Sequence, residues 1–127
     1  MQIGLIYNAQ IFIKYLLSRG GKVALSPIEA VKTEWESPLD AYKDTLEHEK
    51  KVTSMINNLY ALASAENDYA TQSMLKWFID EQVEEEETAQ GLIDSLTMIK
   101  DNGFGIYMLD KELSARTYTQ AAPLSGK

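Results

Sequence analysis

The sequence predicts an all-α chain organised around a long antiparallel helix hairpin. Three observations carry that expectation. Two long stretches repeat apolar residues at alternating spacings of three and four, the stripe a bundle helix turns inward. Only a few capping residues separate them, and short connections join antiparallel neighbours. A proline-containing connector without helical period divides this hairpin from an earlier apolar helix.

That earlier helix is expected at about residues 5–19, rich in Leu5, Ile6, Tyr7, Ile11, Ile13, Leu16 and Leu17. It stops at Gly20-Gly21, with Arg19 favourable to its carbonyl end. Asn8, Gln10 and Lys14 interrupt the apolar run, and no basic segment precedes it. It therefore reads as a core helix, neither a secretory signal nor a span of roughly 20 apolar residues, and a cytoplasmic protein without membrane contact is the expectation.

Residues 20–37 hold Pro27 and alternate small, apolar and charged types. A loop of this length in a compact domain has a structural task. Roughly 16 residues at about 3.3 Å each reach about 50 Å, enough to run the length of a 28-residue helix at about 1.5 Å per residue. A crossover joining parallel helices fits that reach.

The next helix, residues 38–65, opens on Ser37-Pro38-Leu39-Asp40: a capping hydroxyl, proline in the first turn and a carboxylate near the positive dipole end. Its seam is Leu39, Tyr42, Leu46, Glu49, Thr53, Ile56, Tyr60 and Ala63, widened by Val52 and Leu59, with Glu49 the odd member. Charged residues occupy the opposite face, where Glu47 and Lys51 form a favourable pair. After a break at residues 65–68 a helix at 68–99 follows, its seam Thr71, Leu75, Phe78, Gln82, Glu85, Ala89, Leu92 and Leu96. Gln82 and Glu85 are its odd members. Residues 101–105 read as a turn, 106–116 as a short helix, and 119–127 as a flexible tail.

The whole chain, 127 residues and 14.3 kDa, is one modest domain. Its net charge of −7, from 12 basic and 19 acidic residues, argues against nucleic acid as partner, because that affinity rests on basic side chains displacing counterions. There is no cysteine, so a metal would be held by oxygen donors or by His48, the single histidine.

The odd seam members are the informative feature. A hairpin turning near Asn67 sets Glu49 against Glu85 and Val52 against Gln82, so two carboxylates and an amide meet across one interface. Like charges at close range in a poor dielectric are costly, and a bound cation removes the cost. Facing helices of bundle proteins hold di-iron centres through such oxygen donors. The competing reading has the register shifted and the carboxylates reaching solvent at a bundle edge. Glu81, Glu84 and Glu85 lie on one helix flank, as a second place for a hard cation or as a solvated face. His48 sits about 100° round the helix from Glu49 and points to solvent or a neighbour. Met55, Met74, Met98, Trp77 and Tyr60 read as packing residues, and none makes a case for haem.

Several segments resemble the prokaryotic non-haem ferritins, in order and at similar spacing. They are Gly20-Gly21-Lys22-Val23, Thr33-Glu34-Trp35-Glu36-Ser37-Pro38-Leu39, Glu47-His48-Glu49-Lys50-Lys51-Val52-Thr53, Tyr69-Ala70-Thr71, Glu81-Gln82-Val83-Glu84-Glu85-Glu86 and Leu109-Asp110-Lys111-Glu112-Leu113. The resemblance covers about residues 15–118. It implies a ferritin-like four-helix-bundle fragment: the end of the family's second helix, its long crossover loop, its third and fourth helices as the hairpin, and its short fifth helix. By the same resemblance, Glu49 looks like the third-helix ligand of a di-iron centre, Gln82 like the residue beside the second iron, and Glu85 like its neighbour. Glu81, Glu84 and Glu85 resemble the cluster that takes a third iron. The family's first helix and most of its second have no counterpart, and Leu5 and Asn8 stand where the family has Glu-x-x-His, so a truncated ferritin frame is the expectation.

Two functions follow from the resemblance. One is iron storage, with Fe(II) bound and oxidised to Fe(III) by oxygen or peroxide, catalysed by Glu49, Gln82 and Glu85. The other is a non-catalytic truncated subunit acting as a helical assembly module without ferroxidase activity. Both imply partners, either copies of this chain or ferritin subunits in a 24-subunit cage, because missing helices leave apolar seams uncovered.

Overall fold

A computed structural model describes residues 2–117, with side chains described from residue 6; the expected tail at 119–127 lies outside the described residues. Among the described residues all regular structure is helical: α1 (Gln2–Ser18), α2 (Pro38–Ala65), α3 (Tyr69–Ile99) and α4 (Gly103–Ser114).

The chain divides into two compact units, residues 33–108 and residues 1–32 with 109–127. In the second of these, α1 begins at Gln2, three residues earlier than the apolar pattern suggests, and ends where Gly20 takes φ +77°. The Gly20 and Gly21 amides donate to the Leu17 and Leu16 carbonyls at 3.0 and 2.9 Å. This pairing satisfies the last carbonyls of the helix and needs a left-handed residue, which glycine adopts without a steric penalty. Residues 21–35 then run without regular structure, and Leu25, Ile28 and Val31 stand exposed.

The other unit is built on the α2–α3 hairpin. Ser37 is extended and its hydroxyl accepts from the Asp40 amide at 3.1 Å, so α2 starts at the capping signal. Trp35, just before the cap, donates its indole N–H to Asp44 Oδ2 at 2.7 Å and ties the end of the connector to the second turn of α2. On the charged face Glu47 pairs with Lys50 at 3.4 Å, in place of the expected Lys51; both groups are solvated and the pair contributes little.

The turn between the helices is compact because backbone amides close it. Asn67 adopts φ 56°, and the Asn67 and Asp68 amides return to the Ser64 and Ala63 carbonyls at 3.2 and 2.8 Å. Asp68 then caps α3 by accepting from the Thr71 amide at 3.0 Å. One residue thus closes one helix and opens the next, and α3 must run back along α2.

The facing stripes make the core. Leu46, Ile56 and Ala63 of α2 are buried, as are Leu75, Phe78, Ala89, Leu92 and Leu96 of α3. Leu75 and Phe78 are the most enclosed, at 0% and 2% exposure, and the Trp77 ring stands edge-on to Phe78 with centroids 4.9 Å apart.

The short helix α4 begins at Gly103, three residues before the expected start. Two glycines there read as a break, but the Asn102 side chain accepts from the Gly105 amide at 3.0 Å and starts the helix at once. Gly105 also serves close packing, since a Cβ there would stand 2.8 Å from Ile99 Cγ2. No α4 residue is buried, and Phe104, Tyr107 and Met108 are exposed.

Candidate metal centre

Near the middle of the hairpin the apolar seam is interrupted by Glu49 and Gln82, at 5% and 3% exposure. They are the only buried polar residues among those described. Glu49 falls three residues after Leu46 and seven before Ile56, which keeps it on the inward stripe of α2. Gln82 lies four residues after Phe78 on the inward stripe of α3.

The two helices meet here through side-chain hydrogen bonds. Gln82 Nε2 lies 3.1 Å from the Glu49 main-chain carbonyl, 3.1 Å from Glu49 Oε2 and 3.2 Å from Thr53 Oγ1. Thr53 in turn donates its hydroxyl to Glu86 Oε1 at 2.6 Å. No buried side-chain polar atom lacks a partner among the described residues, so this polar cluster is a satisfied network in an otherwise apolar interface.

Glu85, half-buried on the next turn of α3, completes the set the seam identifies. Its carboxyl is held above its ordinary value of 4.5, first because burial penalises the charged form and then because the Glu49, Glu81 and Glu84 charges repel it. Glu81 is also raised, by burial and then by Glu84. The structure therefore brings Glu49, Gln82 and Glu85 into one neighbourhood, with Glu81 and Glu84 on its α3 flank. Glu84 is exposed, as is His48, which stands apart from the pair.

What the residues can hold follows from their donors. Two carboxylates and an amide oxygen are hard ligands suited to Fe(II), Fe(III), Mn(II) or Mg(II). Among the described residues, no three carboxylate or imidazole groups form a ready cation cage. The donor set fits a cation in kind and is sparse in number.

The network also contains two residues the sequence reading did not assign to the site. Thr53 was visible only as a seam member, and Glu86 as part of an acidic run. The signal was their spacing: Thr53 follows Glu49, and Glu86 follows Gln82, by one helical turn on the same face.

The raised carboxyls have a measurable consequence. A folded chain that holds these protons more tightly than the unfolded chain gains stability that is complete below the unfolded value near 4.5 and is lost as pH rises through the folded values. Glu85→Gln, which mimics the protonated form, is therefore expected to melt close to the parent at about pH 4.5 and increasingly above it toward about pH 7.5, without added metal. Thermal melts across that range check it, and a difference independent of pH contradicts it.

A family model described as Ferritin-like domain matches residues 7–99. With the hairpin and its buried carboxylate–amide pair, this places the chain plainly in the ferritin-like family. The matched stretch begins inside α1. The chain is 45% identical over 106 residues to a bacterial non-heme ferritin of Staphylococcus epidermidis, covering 84% of this chain and 64% of that relative. It is 39% identical over 114 residues to a bacterial non-heme ferritin of Staphylococcus aureus, covering 90% and 69%. Against the first of these it spans a little under two thirds of the relative's length.

Solved structures agree on the fold. An open-pore ferritin from the hyperthermophilic archaeon Archaeoglobus fulgidus superposes with a TM-score of 0.85 at 39% identity, covering 87% of this chain and 68% of that one. A humanized archaeal ferritin superposes with a TM-score of 0.88 at 38% identity, covering 90% and 69%. The fold class is thus the all-α ferritin-like bundle. Among the described residues, no helix is long and apolar enough to cross a membrane.

Proposed function

We propose that this chain is an iron-storage protein of ferritin type, with Fe(II) as its substrate. The observation that carries the reading is the buried Glu49–Gln82 pair with Glu85 beside it, set in the facing seams of a ferritin-like hairpin. Glu49 and Glu85 supply the carboxylates, Gln82 the amide oxygen, and Glu81 with Glu84 a flank for a further iron. Hard anionic oxygen favours Fe(III) over Fe(II), so binding here lowers the cost of the one electron each iron gives to dioxygen or peroxide. Burial and then the neighbouring carboxylate charges raise the Glu85 carboxyl, and a cation placed among those charges favours its ionised form, which couples metal uptake to release of a proton.

The full activity requires partners in this reading. Exposed Leu25, Ile28 and Val31 on the connector, and Phe104 and Tyr107 on α4, support assembly with further copies or with ferritin subunits, up to the 24-subunit cage the resemblance implies. The cytoplasm, where Fe(II) is available, is its proposed location.

Oxygen consumption after adding Fe(II), with size determined by light scattering on the same sample, tests the proposal. The parent chain is expected to consume oxygen and Glu49→Ala to lose most of that activity while staying folded. Equal, background-level rates for both would leave the assembly module without ferroxidase activity as the better reading.

A further inference from the structure

We propose that Thr53 is a positioning residue for the site, fixing the amide of Gln82 so that its oxygen is the atom offered to a cation, with Glu86 setting the direction of the Thr53 hydroxyl. The inference rests on the reading of Glu49, Gln82 and Glu85 as cation ligands, and adds to it the two residues behind them.

The Thr53 hydroxyl has a single hydrogen to donate. A carboxylate only accepts, so the 2.6 Å contact between Thr53 Oγ1 and Glu86 Oε1 uses the one hydrogen the hydroxyl possesses. Thr53 is thereby left as an acceptor toward Gln82. An amide facing it at 3.2 Å must present nitrogen. The Glu49 carbonyl and Glu49 Oε2, each 3.1 Å from the same nitrogen, are acceptors too. Three acceptors on one side fix the amide nitrogen there and turn Oε1 to the other side. Only that oxygen carries lone pairs suited to a hard cation, because the nitrogen lone pair is delocalised into the carbonyl.

Two amide hydrogens serve these three acceptors, so one acceptor is in excess. When Glu49 turns its carboxylate to a cation, the Glu49 carbonyl and the Thr53 hydroxyl remain, one for each hydrogen. Thr53 then carries half of the anchoring of Gln82. Without the carboxylate of Glu86, the Thr53 hydrogen is free to point at Gln82 and invite the amide to reverse.

Anaerobic Co(II) titration of the whole chain tests this, reading affinity by calorimetry and ligand set by the visible ligand-field bands. Thr53→Val keeps the side-chain shape and removes the acceptor; it is expected to bind Co(II) about tenfold more weakly, with altered bands. Thr53→Ser keeps the hydroxyl and is expected to restore both. Glu86→Leu, which leaves the Thr53 hydrogen without its acceptor, is expected to weaken binding more than Glu87→Leu, which removes the same charge from an exposed neighbour. Parent affinity and bands in Thr53→Val, or equal loss in Thr53→Val and Thr53→Ser, overturns the role of Thr53. Should Thr53→Val fail to fold, the comparison of Glu86→Leu with Glu87→Leu decides, equal values overturning the proposal. If Glu49→Ala binds Co(II) as the parent does, the carboxylate reading itself falls and this proposal with it; loss in Glu49→Ala with none in Thr53→Val removes the positioning role alone.

Discussion

Replacing Gln82 by leucine is expected to lower the stability of the metal-free chain by about 2–3 kcal/mol at neutral pH, and replacing Glu49 by leucine as well is expected to return most of it. The single change removes the donor at 3.1 Å from a carboxylate that is 5% exposed, leaving a buried charge with one fewer partner. It also strips Thr53 of the hydrogen it accepts. The double change removes both members of the pair and carries the apolar seam one position further on each helix, from Leu46 to position 49 on α2 and from Phe78 to position 82 on α3, with Thr53 and Glu85 next along. Well-packed apolar residues commonly match or exceed a buried polar pair in stability. Urea unfolding of the parent, both single variants and the double variant gives the coupling directly. A double variant whose loss equals the sum of the two single losses would mean that the pair is not coupled. Adding Fe(II) supplies a second comparison: binding to the folded state should raise the parent's midpoint and leave that of the double variant unchanged. A polar pair retained at a cost to the metal-free fold, and stabilising once metal is present, is what a binding site requires.

The all-α class and the inward faces of the hairpin were legible because local signals and the apolar pattern agree. Ser37 and Pro38 mark a start that the Asp40 amide confirms, and the three-and-four spacing selects Leu46, Ile56, Leu75 and Phe78 for the core. The beginning of α4 was not legible, because Gly103 and Gly105 weaken a helix by propensity while one hydrogen bond from the Gly105 amide to Asn102 outweighs them. Pairing of Glu47 with Lys50 over Lys51 depends on rotamers of exposed side chains that no spacing rule fixes. At the site, helix register set Glu49 against Glu85 and Gln82 against Val52, and the hydrogen bonds from Gln82 to Glu49 lie about one turn off that pairing. The link from Gln82 through Thr53 to Glu86 did not follow from register, because it depends on long side chains reaching one turn along the facing helix. Register identifies which residues face each other; hydrogen-bond direction decides which atoms they present.

Phe78→Ala is expected to cost about 3–5 kcal/mol, the largest loss available from a single side chain in this hairpin. The ring is 2% exposed, packs edge-on with Trp77 and shares its face of α3 with Leu75, which is fully buried. Against a total of about 5–15 kcal/mol for a domain of this kind, that loss should bring the thermal midpoint down by about 10 °C or more. Phe78→Leu leaves a smaller void and is expected to recover much of the stability. Phe78 stands one turn before Gln82 on the same stripe, so a cavity at position 78 also removes packing that holds the Gln82 backbone in register with Glu49. Metal binding should therefore fall in Phe78→Ala in parallel with the fold, and be regained at lower temperature or in Phe78→Leu. Glu49→Ala should behave oppositely, losing the metal at every temperature while the helices persist. If Phe78→Ala instead melts with the parent, the α2–α3 seam is not what holds this chain together, and the burial of Glu49 and Gln82 within that seam loses its meaning as a site built by packing.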